Sequence, residues 1–255
     1  MIFTSSCCDN LSIDEIIERA EKGDCEAQYI VGFYYNRDSA IDSPDDEKAF
    51  YWLKLAAEQG HCEAQYSLGQ KYTEDKSRHK DNEQAIFWLK KAALQGHSYA
   101  QDNLADLYKD GEGVAQNKTL AAFWYLKSSQ QGNRHAQFQI AWDYNAGEGV
   151  DQDYKQAMYW YLKAAAQESV GAYVNIGYMY KHGQGVEKDY QAAFEWFTKA
   201  AECNDATAWY NLAIMYHYGE GRPVDLRQAL DLYRKVQSSG TRDVSQEIRE
   251  TEDLL

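Results

Sequence analysis

Residues 144–167 read YNAGEGVDQDYKQAMYWYLKAAAQ, in which a glycine-rich segment precedes a helix-like run. A segment of this kind is either a phosphate-binding loop or a turn that ends a helix. Phosphate-binding GxGxxG loops follow a strand, whereas Gly147 and Gly149 follow a helical stripe that ends at Tyr144. Gln152 stands where the third glycine would be. The sequence therefore indicates a turn, in which glycine ends the helix in the left-handed conformation.

The turn belongs to a repeat with a period of 36 residues. The glycine pair returns at Gly111/Gly113, Gly183/Gly185 and Gly219/Gly221. Three other residue types keep the spacing, at Tyr72, Tyr108, Tyr144, Tyr180 and Tyr216, at Ala49, Ala85, Ala121, Ala157, Ala193 and Ala229, and at Trp52, Trp88, Trp124, Trp160 and Trp196. Six copies result, and the first contains one extra residue. Because four copies of a catalytic loop would be unusual, the regular spacing indicates architecture.

Each copy carries two one-sided helical stripes. In one copy, Ala100 and Leu104 begin the first stripe, and Ala121 and Trp124 begin the second. Their spacings of three and four residues are typical of a helix with one buried face. Short polar residues precede the second stripe and are predicted N-caps, at Asp81, Asn117, Asp153, Asp189 and Asp225. Each repeat is thus predicted to be a helix, a loop and a helix.

The segments AQYSLGQKY, residues 64–72, and GEGVDQDYKQAMYWYLKAAAQ, residues 147–167, resemble the Sel-one-like repeat family, which is related to the tetratricopeptide repeats. The resemblance covers residues 24–240 and implies an all-α fold, a right-handed α-α superhelix (solenoid) with terminal capping helices. In the first two copies, NRDSAIDSPDDEKA and TEDKSRHKDNEQA replace the glycine turn. These two segments are predicted to be irregular and polar.

The period also sets the predicted domain organisation. A flexible N-terminus covers residues 1–10, and an N-terminal capping helix covers residues 11–23, with Ser12 or Asp14 as its N-cap. Six repeats follow, at residues 24–60, 61–96, 97–132, 133–168, 169–204 and 205–240. A C-terminal capping helix covers residues 241–255. Capping helices are expected because terminal repeats need a polar outer side.

Composition argues for a folded chain and against binding to nucleic acid. The sequence has 255 residues, of which 44 % are hydrophobic and 26 % are charged, and its formal net charge is −14. Attraction to a phosphate backbone comes from Lys and Arg, so an acidic chain is poorly suited to it. Residues 1–60 alone carry 13 acids and 5 bases, which concentrates negative charge near the N-terminus.

The sequence also predicts neither a membrane protein nor a secreted one. The start, MIFTSSCCDN, lacks the basic and apolar regions of a secretory signal. No run approaches the ~18 apolar residues that span a bilayer. A secreted, cysteine-rich branch of the family, linked to β-lactam binding, has a disulfide within each repeat, but here Cys25 and Cys62 occupy equivalent places in successive copies. Reduced thiols and a cytoplasmic location are therefore expected.

A partner is expected on the first helices of the repeats. Stacked helix pairs bury one face of each helix and leave the first helices lining a continuous inner surface. On a helix with ~100° per residue, the positions opposite the alanine stripe should face a partner or solvent. These candidate partner-binding residues are Tyr29, Phe33, Tyr66, Asp102, Asp106, Phe138, Trp142, Tyr178, Lys181, Tyr210 and His217. Aromatic residues there favour an interface, and the alternative is that the rings pack on each other.

Few patterns point to catalysis or metal binding. Asp102 and Asp106 form an i, i+4 acidic pair, which is more typical of a solvated acidic face than of acid/base chemistry. His61 and His97 follow the glycine that closes a repeat and are interpreted as helix-start residues. The remaining histidines near the inner surface lack the i, i+4 spacing of a helical metal pair, at His135, His182 and His217. No catalytic residue, cofactor or metal is predicted.

The predicted function is a non-enzymatic scaffold or adaptor for a protein or peptide partner. The resemblance implies this role, because members of the family hold other proteins, in bacteria in host interaction, regulation or toxin neutralisation. The acidic pair Asp102 and Asp106 makes a basic partner a candidate. The alternative is a small-ligand-binding or hydrolytic, β-lactamase-like protein that uses the carboxylates and aromatic rings of the groove.

Overall fold

The computed structural model describes residues 11–36, 45–74 and 79–255. Within these ranges the chain forms fourteen α-helices and no strand, which confirms the predicted all-α fold. The helices belong to two compact units, Met1–Gln131 (unit 1) and Gly132–Leu255 (unit 2). The predicted flexible segment 1–10 lies outside the described residues, as do residues 37–44 and 75–78 of the two irregular segments.

Unit 1 contains helices α1 to α7. Their bounds are α1 Ile13–Glu21, α2 Cys25–Asn36, α3 Asp46–Glu58, α4 Cys62–Thr73, α5 Asn82–Leu94, α6 Ser98–Asp110 and α7 Lys118–Gln130. α1 begins with a capping box, in which the Ser12 hydroxyl accepts from the Glu15 N–H and the Glu15 carboxylate accepts from the Ser12 N–H. The pairs α2/α3, α4/α5 and α6/α7 are antiparallel neighbours, and each pair packs on the next.

Unit 2 contains helices α8 to α14. Their bounds are α8 Arg134–Ala146, α9 Tyr154–Ala165, α10 Val170–His182, α11 Tyr190–Glu202, α12 Ala206–Tyr218, α13 Leu226–Ser239 and α14 Ser245–Asp253. The pairs α8/α9, α10/α11 and α12/α13 stack in the same way, and α14 packs on α13. Among the described residues no helix is both long and apolar enough to cross a membrane.

The glycine turns end the first helices as the sequence indicates. The C-cap glycines of α6, α8, α10 and α12 are left-handed, with φ between +69° and +75°, at Gly111, Gly147, Gly183 and Gly219. The second glycine of a turn lies against the preceding repeat, since a Cβ on Gly185 would stand 2.6 Å from the carbonyl carbon of Tyr154. The turn therefore requires glycine both for its backbone conformation and for this close approach.

The predicted N-caps are confirmed. Each side-chain oxygen accepts a hydrogen bond from a backbone N–H in the first turn of the helix that follows, at Asp81, Asn117, Asp153, Asp189 and Asp225. The buried residues of the helical stripes then form the core of each unit. In unit 1, Leu53, Leu68 and Trp88 pack together across neighbouring repeats. In unit 2, Phe197 and Met215 do the same.

A ladder of glutamines also joins neighbouring repeats. Gln65 is 3 % exposed, its Nε2 donates to the Ala57 carbonyl at 3.1 Å, and its Oε1 accepts from Gln95 Nε2 at 2.7 Å. The pattern recurs in the pairs Gln28/Gln59, Gln101/Gln131 and Gln137/Gln167. Because a buried amide must be paired, the ladder fixes how one repeat sits on the next.

Candidate functional site

The candidate partner-binding residues differ in their exposure to solvent. Trp142 on α8 is exposed, with 42 % of its surface accessible. Asp102 on α6 is buried, at 6 %. The others are partly buried, namely Tyr29, Phe33, Tyr66, Asp106, Phe138, Tyr178, Lys181, Tyr210 and His217. Their contacts show which of them join neighbouring repeats.

In unit 1, Tyr66 stacks on the N-cap histidine of the next repeat. The ring centroids of Tyr66 and His97 lie 4.3 Å apart. His97 Nδ1 accepts from the Ala100 N–H at 3.1 Å, and His97 Nε2 lies 3.2 Å from a Glu63 carboxylate oxygen. Since Nδ1 is the acceptor, Nε2 carries the proton and donates to Glu63. Burial raises the pKa of Tyr66 to about 12, so the phenol stays neutral between the repeats.

The same arrangement joins the first two repeats. The rings of Tyr29 and His61 lie 4.5 Å apart, and His61 Nε2 lies 3.0 Å from a Glu26 oxygen. Phe33 packs beside Tyr29, with its ring centroid 6.0 Å away. The interpretation of His61 and His97 as helix-start residues is confirmed, because the Nδ1 of each caps its helix. Tyr29 and Tyr66 therefore serve packing between repeats.

The Glu63–His97 pair predicts a pH-dependent contribution to stability. The hydrogen bond from His97 lowers the pKa of Glu63. A lowered pKa stabilises the folded state above the pKa of the unfolded chain, about 4.3 for Glu, and this stabilisation is lost as the pH falls through the folded pKa. Glu63→Gln should therefore unfold at lower denaturant than the wild type at about pH 6, and the difference should be smaller at about pH 3. A difference that is equal at both pH values would contradict this pairing.

The acidic pair does not form a solvated face. Asp102 is 6 % exposed, and Asp106 accepts a hydrogen bond from the hydroxyl of Tyr125. Lys109 Nζ stands over the Tyr125 ring, 5.8 Å from its centroid. The expectation of a solvated face is wrong for Asp102, because α6 is buried around most of its circumference, with Leu107 also inside. These carboxylates are therefore part of the packing of α6.

On α10, the candidate residues contact the next repeat. The Tyr178 hydroxyl accepts from Asn211 Nδ2 at 2.9 Å, and its ring meets Phe197 edge on, with the centroids 5.5 Å apart. Lys181 Nζ pairs with a carboxylate oxygen of Glu220 at 2.7 Å. The sequence left two interpretations of these rings open, an open groove for a partner or packing between neighbouring repeats. The contacts on α10 favour packing between repeats.

On α12, the candidate residues contact the C-terminal end of unit 2. The Tyr210 hydroxyl donates to Glu247 at 3.3 Å, and the Arg242 guanidinium lies 3.8 Å from the centroid of the Tyr210 ring. His217 Nδ1 lies 3.1 Å from the Thr251 hydroxyl. Burial is the largest cause of the raised pKa of Tyr210. The C-terminal helix α14 therefore covers these side chains.

On α8, two aromatic residues one turn apart have different environments. Phe138 packs on the next repeat, where a Cβ on Gly171 would stand 3.0 Å from Phe138 Cε2, and its ring lies 5.7 Å from that of Tyr161. Trp142 instead keeps 42 % of its surface in solvent. Among the candidate residues, Trp142 is the one that the structure presents as an exposed aromatic side chain.

Further exposed side chains accompany Trp142 on the first helices of unit 2. Tyr218, on α12, is 67 % exposed, and His182, on α10, is also exposed. We call Trp142, His182 and Tyr218 the first-helix surface of unit 2. The repeat pattern singled out Trp142 for this surface but not the other two, which directly follow the candidate residues Lys181 and His217. Including the next position on each helix would have found them.

Comparisons with known proteins identify the repeat. Six consecutive segments match the Sel1 repeat, at residues 25–61, 62–97, 98–133, 134–169, 170–205 and 206–235. A protective antigen present in uropathogenic Escherichia coli strains, which displays an SLR fold, is 34 % identical with a TM-score of 0.82. The match covers 91 % of this chain and 50 % of that protein, so this chain spans half of the antigen's length.

A second solved structure supports the same assignment. The Sel1 repeat protein from Oxalobacter formigenes is 30 % identical with a TM-score of 0.71, and the match covers 93 % of this chain and 69 % of that one. The immunity protein Pa5087 from Pseudomonas aeruginosa is 15 % identical with a TM-score of 0.43, over 84 % of this chain and 81 % of that one. Similarity at that level does not transfer a partner. The repeat matches extend over most of the sequence, and the chain therefore belongs to the Sel1 repeat family.

Proposed function

We propose that this chain is a non-enzymatic scaffold that holds a partner protein or peptide on the first-helix surface of unit 2, with Trp142 as the anchor. Sel1 repeat proteins are generally protein-interaction scaffolds. The observation that carries the proposal is the exposed indole of Trp142, at 42 %, beside aromatic residues of the same face that are engaged with neighbouring repeats. Tryptophan is strongly enriched among the residues that dominate binding energy at interfaces.

The composition of the first helices indicates which kinds of side chain on a partner would bind this surface. α8 carries one Arg and one Asp, α10 carries one Lys, and α12 carries neither an acid nor a Lys or Arg. Recognition on this surface is therefore mainly apolar, with an apolar side chain covering the Trp142 indole and acceptors facing the Tyr218 hydroxyl. The cytoplasm is the proposed compartment, and a regulatory, host-interaction or toxin-neutralising partner is the proposed kind.

A matched pair of variants tests the anchor. Trp142→Ala should weaken partner binding about 30-fold, since truncating an interface hot spot costs about 2 kcal/mol. Tyr159→Ala should bind as the wild type does, because Tyr159 is a 50 % exposed aromatic residue in the same repeat but on the second helix. Affinity capture from cells of the source, followed by titration of the recovered partner, measures both.

Thermal unfolding controls this comparison. Both variants remove exposed rings, so their melting temperatures should stay close to that of the wild type. Tyr178→Ala would not serve as a binding variant, because its loss also breaks the contact with Asn211 in the next repeat. Equal capture by Trp142→Ala and the wild type, with both proteins folded, would contradict the proposed surface.

A further inference from the structure

A row of exposed aromatic rings lies on the second helices of unit 1. Tyr51 on α3, Phe87 on α5 and Phe123 on α7 occupy the same place in successive repeats and are 57 %, 48 % and 47 % exposed. Each ring meets the tryptophan that follows it, and the centroid distances for Phe87 and Phe123 are 4.9 and 5.0 Å. One part of each ring is thus used in packing, while the other faces solvent.

Leucines enlarge this apolar surface on α5 and α7. Leu94 lies seven residues after Phe87 and is 70 % exposed, and Leu120 lies three residues before Phe123 and is 38 % exposed. Residues at these spacings share one side of a helix. We call Phe87, Leu94, Leu120 and Phe123 the outer patch of unit 1. Grouped exposed apolar side chains bordered by polar residues are typical of interaction sites.

Lysines border the outer patch. Lys91 Nζ lies 4.5 Å from the centroid of the Phe87 ring, and Lys127 Nζ lies 5.7 Å from that of Phe123. Among the described residues, no carboxylate lies within ion-pair distance of Lys90, Lys91 or Lys127. Together α5 and α7 contain four lysines and a single acid, although the whole chain has a net charge of −14. The outer patch is therefore both apolar and locally basic.

We propose that the outer patch of unit 1 is a docking surface for an acidic segment of a partner protein that also carries apolar side chains. Its carboxylates would pair with Lys90, Lys91 and Lys127, while its apolar side chains would cover the rings and leucines. Charges are screened beyond about 8 Å at physiological salt, so the local excess of lysine over the single acid of α5 and α7 matters more here than the net charge of the whole chain. A basic segment would be repelled, and a nucleic acid has no aliphatic side chain to cover Leu94.

A defined peptide provides the probe. A fluorescein-labelled amphipathic peptide of Glu, Leu and Phe is titrated with the full chain, and anisotropy reports binding up to about 1 mM. One comparison peptide has Lys in place of Glu, and another has Ser in place of Leu and Phe. We expect only the acidic, apolar peptide to bind, with an affinity that falls at least about tenfold when salt is raised from about 50 to about 500 mM.

Variants locate the binding. Lys91→Glu combined with Lys127→Glu, and Phe87→Ser combined with Phe123→Ser, should each weaken binding at least about tenfold. Two control variants should leave it unchanged, namely Lys235→Glu on the exposed side of α13 and Trp142→Ala on the first-helix surface of unit 2. Circular dichroism should show the same helix content in all of them, because every replaced side chain is exposed.

Three results would overturn the proposal. The first is that the acidic, apolar peptide does not bind, and the second is that it binds the patch variants as tightly as the wild type. The third is that the Lys-containing peptide or a single-stranded oligodeoxynucleotide of equal length binds more tightly. Since Trp142→Ala is a control here, failure at the outer patch is distinguishable from failure at the first-helix surface of unit 2.

Discussion

Replacing Trp160 by alanine should lower the free energy of unfolding by about 3–5 kcal/mol. Trp160 lies on α9 and is 7 % exposed. Its indole N–H has no hydrogen-bond partner among the described residues, so packing accounts for its contribution to stability. Truncation removes that apolar contact and leaves a cavity, which the surrounding repeats fill only in part. Chemical denaturation of the variant and the wild type measures the loss.

The adjacent residue is a matched control for this variant. Tyr159 is an aromatic residue of the same helix, but it is 50 % exposed. Its ring meets Trp160 edge on, with the centroids 4.9 Å apart. Tyr159→Ala should therefore cost less than about 1 kcal/mol. If both variants lost the same stability, the buried and exposed sides of α9 would be assigned incorrectly.

Replacing Gly185 by alanine should cost about 2–5 kcal/mol, because backbone strain and a clash add together. Gly185 has φ of +71°, a conformation that a side chain disfavours. An added Cβ would stand 2.6 Å from the carbonyl carbon and oxygen of Tyr154, which begins the second helix of the preceding repeat. Backbone atoms cannot rotate away as a flexible side chain can, so the repeats would have to shift. Denaturant-induced unfolding measures the cost.

Gly96 separates these two contributions. Gly96 also has a positive φ, of +95°, but an added Cβ would meet nothing within 4 Å. Gly96→Ala should therefore show the strain alone, about 1–2 kcal/mol. The excess loss in Gly185→Ala then reports the close approach of the turn to the preceding repeat. If Gly185→Ala lost no more stability than Gly96→Ala, the close contact with Tyr154 would be relieved at little cost.

Much of the fold follows from the 36-residue period, because each copy contains its own start and stop signals. Asp153 predicts where α9 begins, and its side chain accepts from the N–H groups of Lys155 and Gln156. Gly147 predicts where α8 ends, and it adopts the left-handed conformation. Such signals act within a few residues of the chain, so they can be read from one repeat without knowledge of its neighbours.

The candidate site was harder to predict, because contacts between repeats decide which side chains remain open. Tyr178 is opposite the alanine stripe of its own helix, yet its hydroxyl bonds with Asn211, 33 residues further along the chain. Asp102 lies on the same predicted face of α6, and it is buried. A helical wheel describes one helix and its own packed face, whereas the Tyr178 side chain meets a different repeat. Trp142, the equivalent of Tyr178 in the preceding repeat, instead keeps 42 % of its surface in solvent.

The exposed aromatic rings of the second helices also could not be predicted, but in the opposite sense, because they are more exposed than the sequence suggests. Phe87 and Phe123 precede the tryptophans that mark the period, so their positions are visible in the sequence. Their exposure is not, because a residue ~100° around the helix from a buried tryptophan lies at the edge of the buried stripe, where the neighbouring helices decide whether it is covered. The structure places them at the edge of the buried stripe, with Lys91 and Lys127 over the rings.

Amide hydrogen exchange of the chain with and without its captured partner tests the proposed scaffold function most directly. Binding at the first-helix surface of unit 2 should slow exchange in α8, Arg134–Ala146, and in α12, Ala206–Tyr218. Trp142→Ala, at the same partner concentration, should lose that protection while its exchange in the absence of partner stays unchanged. Protection confined to the second helices, or equal protection in Trp142→Ala, would contradict a partner held on this surface.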